Sequence, residues 1–69
     1  MKKVELNTKA LRERKGLSQA ELGKRIGKSQ QQVYVIENGG TVKLDVLAKL
    51  MEVLDCDISD LFVVYEQIK

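Results

Sequence analysis

Apolar residues follow helical spacing through the middle of the chain and turn into strand-like runs only near its two ends. Ala20, Leu22, Ile26, Val33 and Ile36 supply the apolar face of two short helices expected over 19–26 and 30–37. A longer helix is expected over 43–54, where Leu44, Leu47, Ala48, Met51 and Leu54 recur at intervals of three and four. Before these, Ala10, Leu11 and Arg14 lie along a helix over 8–15, with Asn7 as its N-cap and Gly16 ending it. A short fifth helix over 58–61 follows Asp57, with Asp60 at its third position, where acids suit a helix N-terminus. The ends read differently. Lys2 to Leu6 alternates, with Val4 and Leu6 on one side, and Phe62-Val63-Val64-Tyr65 is β-branched and aromatic. Strands over 2–6 and 62–67 are therefore expected to pair as a two-stranded ribbon, within one subunit or across two. Such a ribbon is marginal alone and should pack on the helices or on a second copy.

The turn chemistry around the central pair is specific. Ser18 caps the second helix and Glu21 reaches back to it, a capping box. Leu17, just ahead, sits where a hydrophobic staple packs. Gly23 leaves room for a second helix to come close, and Gly27 takes a left-handed turn conformation. Ser29 and Gln32 repeat the capping box on the third helix. What that helix exposes is Gln30, Gln31, Gln32, Tyr34 and Val35, with no acid before Glu37. Two capped helices joined by a glycine turn over 18–39 match a DNA-binding helix-turn-helix.

Composition narrows the alternatives. At 69 residues, with 43% hydrophobic and 32% charged residues, the chain reads as one small folded domain spanning 1–69, without repeats or linker. No histidine is present and the acids stand singly or at helix starts, so neither catalysis nor a metal site is expected. Gly23 and Gly27 make no phosphate-binding loop, and no cofactor is expected. Cys56, the only cysteine, reads as a small buried hydrophobe. No apolar stretch is long enough for a membrane span, and MKKVEL lacks the apolar run of a signal peptide. A reducing cytoplasm is the expected compartment. Charge is asymmetric: residues 1–40 carry nine Lys or Arg against four Glu, +5, and residues 41–69 carry three Lys against six acids, −3. The positive half holds the helix pair, which suits a surface meeting phosphates.

Leu11-Arg12-Glu13, Gly16 through Leu22, Gln30-Gln31 and Ile36-Glu37-Asn38-Gly39 together resemble the Cro and phage-repressor helix-turn-helix family, the XRE family of bacterial and phage regulators. The likeness runs over roughly residues 7–62 and implies an all-α, five-helix, lambda-repressor-like DNA-binding domain, to which the terminal ribbon is an addition. It implies a transcriptional repressor that binds a palindromic operator in double-stranded DNA as a homodimer, with the third helix in the major groove. Gln30 and Gln31 match base-reading positions, where glutamine pairs with adenine, and Val35 matches a third, apolar contact. Gln19 opens the second helix, where backbone amides attract a phosphate, and in the family it also braces the first reading glutamine, here Gln30. Lys28, Gln32, Tyr34, Asn38 and Lys43 are the other candidate backbone contacts. Asp45 departs from repressors that carry arginine there, and that contact is not carried over. Arg12 and Glu37 match a structural ion pair. Leu61, Phe62, Val63, Val64 and Tyr65 form the expected dimer surface. The same fold also serves as the DNA-binding antitoxin of toxin–antitoxin pairs, which would add a protein partner.

Overall fold

The computed structural model describes residues 1–66. Its elements run β1 (Lys2–Leu6), α1 (Thr8–Arg14), α2 (Gln19–Ile26), α3 (Gln30–Glu37), α4 (Leu44–Leu54), α5 (Ile58–Leu61) and β2 (Phe62–Glu66). Five helices enclose one core, and the chain ends meet as an antiparallel ribbon. Leu6 pairs with Phe62, Val4 with Val64 and Lys2 with Glu66. The expected strand over 62–67 is therefore present through Glu66, and residue 67 lies outside the described residues.

Leu22, Ile26, Val33, Leu50 and Leu61 are the innermost side chains. Around them close Leu11, Ile36, Val46, Leu47 and Leu54, while Leu6, Met51, Cys56 and Phe62 pack against the outside of the cluster. Burial of this kind is the main force holding so small a domain together.

The buried face of α4 differs from the expected one. Val46, Leu47, Leu50 and Leu54 point inward, Met51 is half-buried, and Leu44 and Ala48 are exposed, Leu44 to 82%. Eight of the eleven residues of α4 are apolar, so spacing alone admits several inward faces. The solvent side is marked by Asp45, Lys49 and Glu52, all exposed, and the face opposite them is the one buried. Ala20 is also exposed. It lies two residues before the buried Leu22, which on a helix is nearly the opposite side.

One helix start departs from expectation. The Asn7 side chain makes no capping bond to α1. Its backbone N–H instead donates to the Leu61 carbonyl at 2.7 Å, tying the end of β1 to the end of α5. Thr8 beside it is fully buried, and its hydroxyl has no partner among the described residues. At α5 the Asp57 amide donates to Asp60 Oδ2 at 3.1 Å. Cys56 is half-buried, and burial, with Asp60, Asp57 and Asp55 close by, pushes its thiol pKa up.

The candidate nucleic-acid interface

Local chemistry fixes the angle between α2 and α3. Ser18 Oγ accepts from the Glu21 amide at 3.0 Å, and Glu21 Oε1 accepts from the Ser18 amide at 2.9 Å. These bonds hold the Glu21 carboxyl below the usual carboxylate range, the Ser18 amide contributing most. The turn follows at Gly27, whose φ of 72° is left-handed. Lys28 then donates its amide to the Gly23 carbonyl at 2.7 Å. This return brings the backbone hard against α2: a Cβ at Gly23 would stand 2.5 Å from the Lys28 carbonyl oxygen. The second box repeats the first, with Ser29 Oγ accepting from the Gln32 amide at 3.1 Å and Gln32 Oε1 from the Ser29 amide at 2.8 Å.

With Val33 and Ile36 buried, α3 turns Gln30, Gln31, Tyr34 and Val35 outward. Gln32 is exposed too, but its Oε1 is occupied at the cap. The one acid of α3, Glu37, is withdrawn from this surface: its side chain is 1% exposed. Arg12 Nε donates to Glu37 Oε2 at 2.6 Å and Arg12 Nη2 to Oε1 at 3.2 Å, a bidentate pair. Arg12 Nη1 donates to the Leu17 carbonyl at 2.8 Å. The hydrogen bond to Glu37 holds the Arg12 guanidinium above the usual arginine range, against the opposing effect of burial. The outer face of α3 therefore carries no charged side chain, and its glutamines stand at the positive end of the helix dipole.

Gln19 is not bonded to Gln30. Its Nε2 donates to Glu37 Oε1 at 3.0 Å. A carboxylate is the stronger acceptor, and it lies within reach because the ion pair packs between α1 and α3. Gln19 and Gln30 still border one shallow depression, together with Ser29, Gln31 and Tyr34. Asn38 uses Nδ2 to close the end of α3, donating to the Tyr34 carbonyl at 2.8 Å.

A second, more apolar cleft of about 250 Å³ lies on the other side of α3, bordered by Lys28, Gln31, Val35, Thr41, Val42 and Lys43. Thr41 and Val42 are site-lining residues that sequence reasoning missed. The Gly39-Gly40 break was legible, but not its direction. Gly39 has φ of 94° and the Gly40 amide returns to the Val35 carbonyl at 2.8 Å, so residues 41–43 fold back beside α3. Lys43 is exposed immediately before α4, and Asp45 is exposed in that helix's first turn. Of the expected dimer residues, Leu61 is fully buried in the monomer core and has no surface to offer. Phe62 and Val63 are half-buried, and Val64 and Tyr65 are exposed.

Capped helices, a left-handed glycine turn and a second helix whose outward face is free of charge define a helix-turn-helix. A family model described as Helix-turn-helix matches residues 9–61. The chain belongs to that family, whose members of the XRE type are DNA-binding transcription regulators. Among solved structures it is similar to the crystal structure of transcriptional regulator VanUg, with a TM-score of 0.74 and 24% identity over 96% of this chain and 89% of that one. At that identity the likeness is one of fold. No curated protein matches the chain. Among the described residues no helix is long and apolar enough to cross a membrane.

Proposed function

We propose that the protein is a transcriptional repressor of the cytoplasm, acting as one DNA-binding unit that occupies a palindromic operator as a homodimer. In this reading α3 enters the major groove, Gln30 and Gln31 read base edges, and Val35 meets a thymine methyl. The observation that carries it is the outward face of α3. Its glutamines are exposed at the helix start, while its single acid is buried and neutralised by Arg12.

Phosphate contacts would flank this face. Lys28 and Lys43 both border the Val35 cleft and would supply the cations. Gln19 at the start of α2 would offer backbone amides, and Tyr34 a hydroxyl from the exposed side of α3. Gln32 uses only its Oε1 at the cap and keeps both amide hydrogens, and Asn38 keeps one of its two. Two copies are invoked because one small domain buries little DNA surface, whereas two, about one helical turn apart, give affinity and define the operator's symmetry.

The test of these roles is a salt series on duplex DNA. Lys28→Ala and Lys43→Ala should each weaken binding uniformly across sequences and lower the slope of log affinity against log salt by about one unit. An unchanged slope in both would remove the lysines from the interface.

A further inference from the structure

The turn after α3 contains two glycines that serve different ends. Gly39 has φ of 94°, and a Cβ there would meet nothing within 4 Å. Its backbone conformation is what calls for glycine. Gly40 is the reverse case. Its φ lies outside the left-handed region, so the backbone itself would accept a side chain. The obstacle is Val35: a Cβ at residue 40 would overlap Val35 Cγ1 and stand 2.7 Å from the Val35 carbonyl oxygen. Neither group yields easily. A valine within a helix is held to essentially one χ1 rotamer. The carbonyl belongs to α3 and accepts the Asn38 and Gly40 amides at 3.2 and 2.8 Å. The missing side chain at Gly40 therefore lets the return lie directly on one branch of Val35, which is still 47% exposed.

We propose that Gly40 is a specificity-determining residue: by carrying no side chain it fixes the apolar shape that Val35 offers to DNA, and with it the base preference at that position. This rests on the reading of Val35 as a base contact and adds a positioning residue that acts through it. The surroundings leave little play. Residues 41–43 border the cleft beside Val35, and Val42 is anchored against the outside of the core. An added methyl at residue 40 has two ways out. It can force Val35 into a disfavoured rotamer, which moves the methyls offered to a base. It can instead lift the return off α3, which stretches the bond from the Gly40 amide, draws Val42 from the core and uncovers Val35 Cγ1. Each changes the surface that a thymine methyl would meet. Gln30 stands outside this cleft, at the capped start of α3, and keeps its place.

The test is selection of bound sequences from random duplex DNA at fixed salt. It uses the full chain as wild type, Val35→Ala, Gly40→Ala, the two combined, and Gly39→Ala. Val35→Ala should relax one base pair of each half-site, on the order of tenfold. Gly40→Ala should relax the same base pair to a similar extent and leave the others as in wild type. The combined variant should match Val35→Ala alone, because without Cγ1 there is no methyl to displace. Gly39→Ala strains the turn but touches nothing, so it should lower the melting temperature and keep every preference. Equal relaxation by Gly39→Ala would make the turn as a whole the determinant and overturn the proposal. So would a Gly40→Ala that weakens all sequences alike while Val35→Ala relaxes one base pair, an outcome that leaves the Val35 reading standing. Unchanged preference in Val35→Ala would remove the base contact itself and the role of Gly40 with it. If Gly40→Ala is unfolded by circular dichroism, the combined variant decides. It should regain the fold and bind with the preference of Val35→Ala, since the closest overlap is gone, and a combined variant that stays unfolded would overturn the proposal.

Discussion

At the scale of single residues, the site depends on one buried carboxylate. Glu37 receives two bonds from Arg12 and one from Gln19, and so joins α1, the start of α2 and the end of α3. Removing Arg12 leaves that charge buried and unpaired. Arg12→Ala should therefore cost about 3–5 kcal/mol, enough to leave much of a domain this small unfolded. Gln19→Ala removes a single hydrogen bond at the edge of the same network and should cost only about 0.5–1.5 kcal/mol. Thermal denaturation of the two variants separates these sizes. Similar small losses in both would mean the pair is solvated rather than sealed. The partnership of Arg12 and Glu37 was open to family resemblance, but the bond of Gln19 was not. It depends on which acceptor comes within reach after folding, and the family resemblance set Gln19 beside Gln30 without showing that a carboxylate would compete.

At the scale of elements, boundaries were legible wherever a residue has one chemical use. Serine followed three positions later by glutamate or glutamine gave both capping boxes, and Gly27 gave the turn. Asparagine has several uses, and Asn7 takes another. Faces were less legible. The inward side of α4 could be read only from its polar residues, because apolar ones occur around most of the helix. Leu44→Lys should accordingly be tolerated within about 0.5 kcal/mol. Leu50→Ala, at a fully buried position, should cost about 2–5 kcal/mol. Chemical denaturation that ranked the two the other way would restore the expected face. The start of α2 has its own signature in acid. Because bonding in the box lowers the Glu21 pKa, its contribution is present above the unfolded value, about 4.3. It is lost as pH falls through the lower folded value. Glu21→Gln keeps an acceptor for the Ser18 amide and has nothing to titrate. Its melting temperature should fall less steeply than wild type below about pH 4.3. Identical slopes would assign acid sensitivity to other carboxyls.

At the scale of the whole molecule, charge is distributed unevenly along the sequence. Excess positive charge lies in the half of the chain that contains α2 and α3, while the exposed apolar strand lies at the other end of the sequence. The ribbon was legible as two strands because β-branched residues and alternation mark them. That its outer half would stand clear of the helices was not, since nothing in a strand's sequence says what covers it. Both features serve one account, in which α3 reads DNA. The most direct test is selection of bound sequences from random duplex DNA at a fixed salt of about 0.1–0.15 M, with wild type and Gln31→Ala in parallel. The account predicts an enriched palindrome for wild type, with preference relaxed in the variant at one base pair of each half-site. No enriched sequence from folded wild-type protein, or an unchanged preference in Gln31→Ala, would contradict base reading by α3.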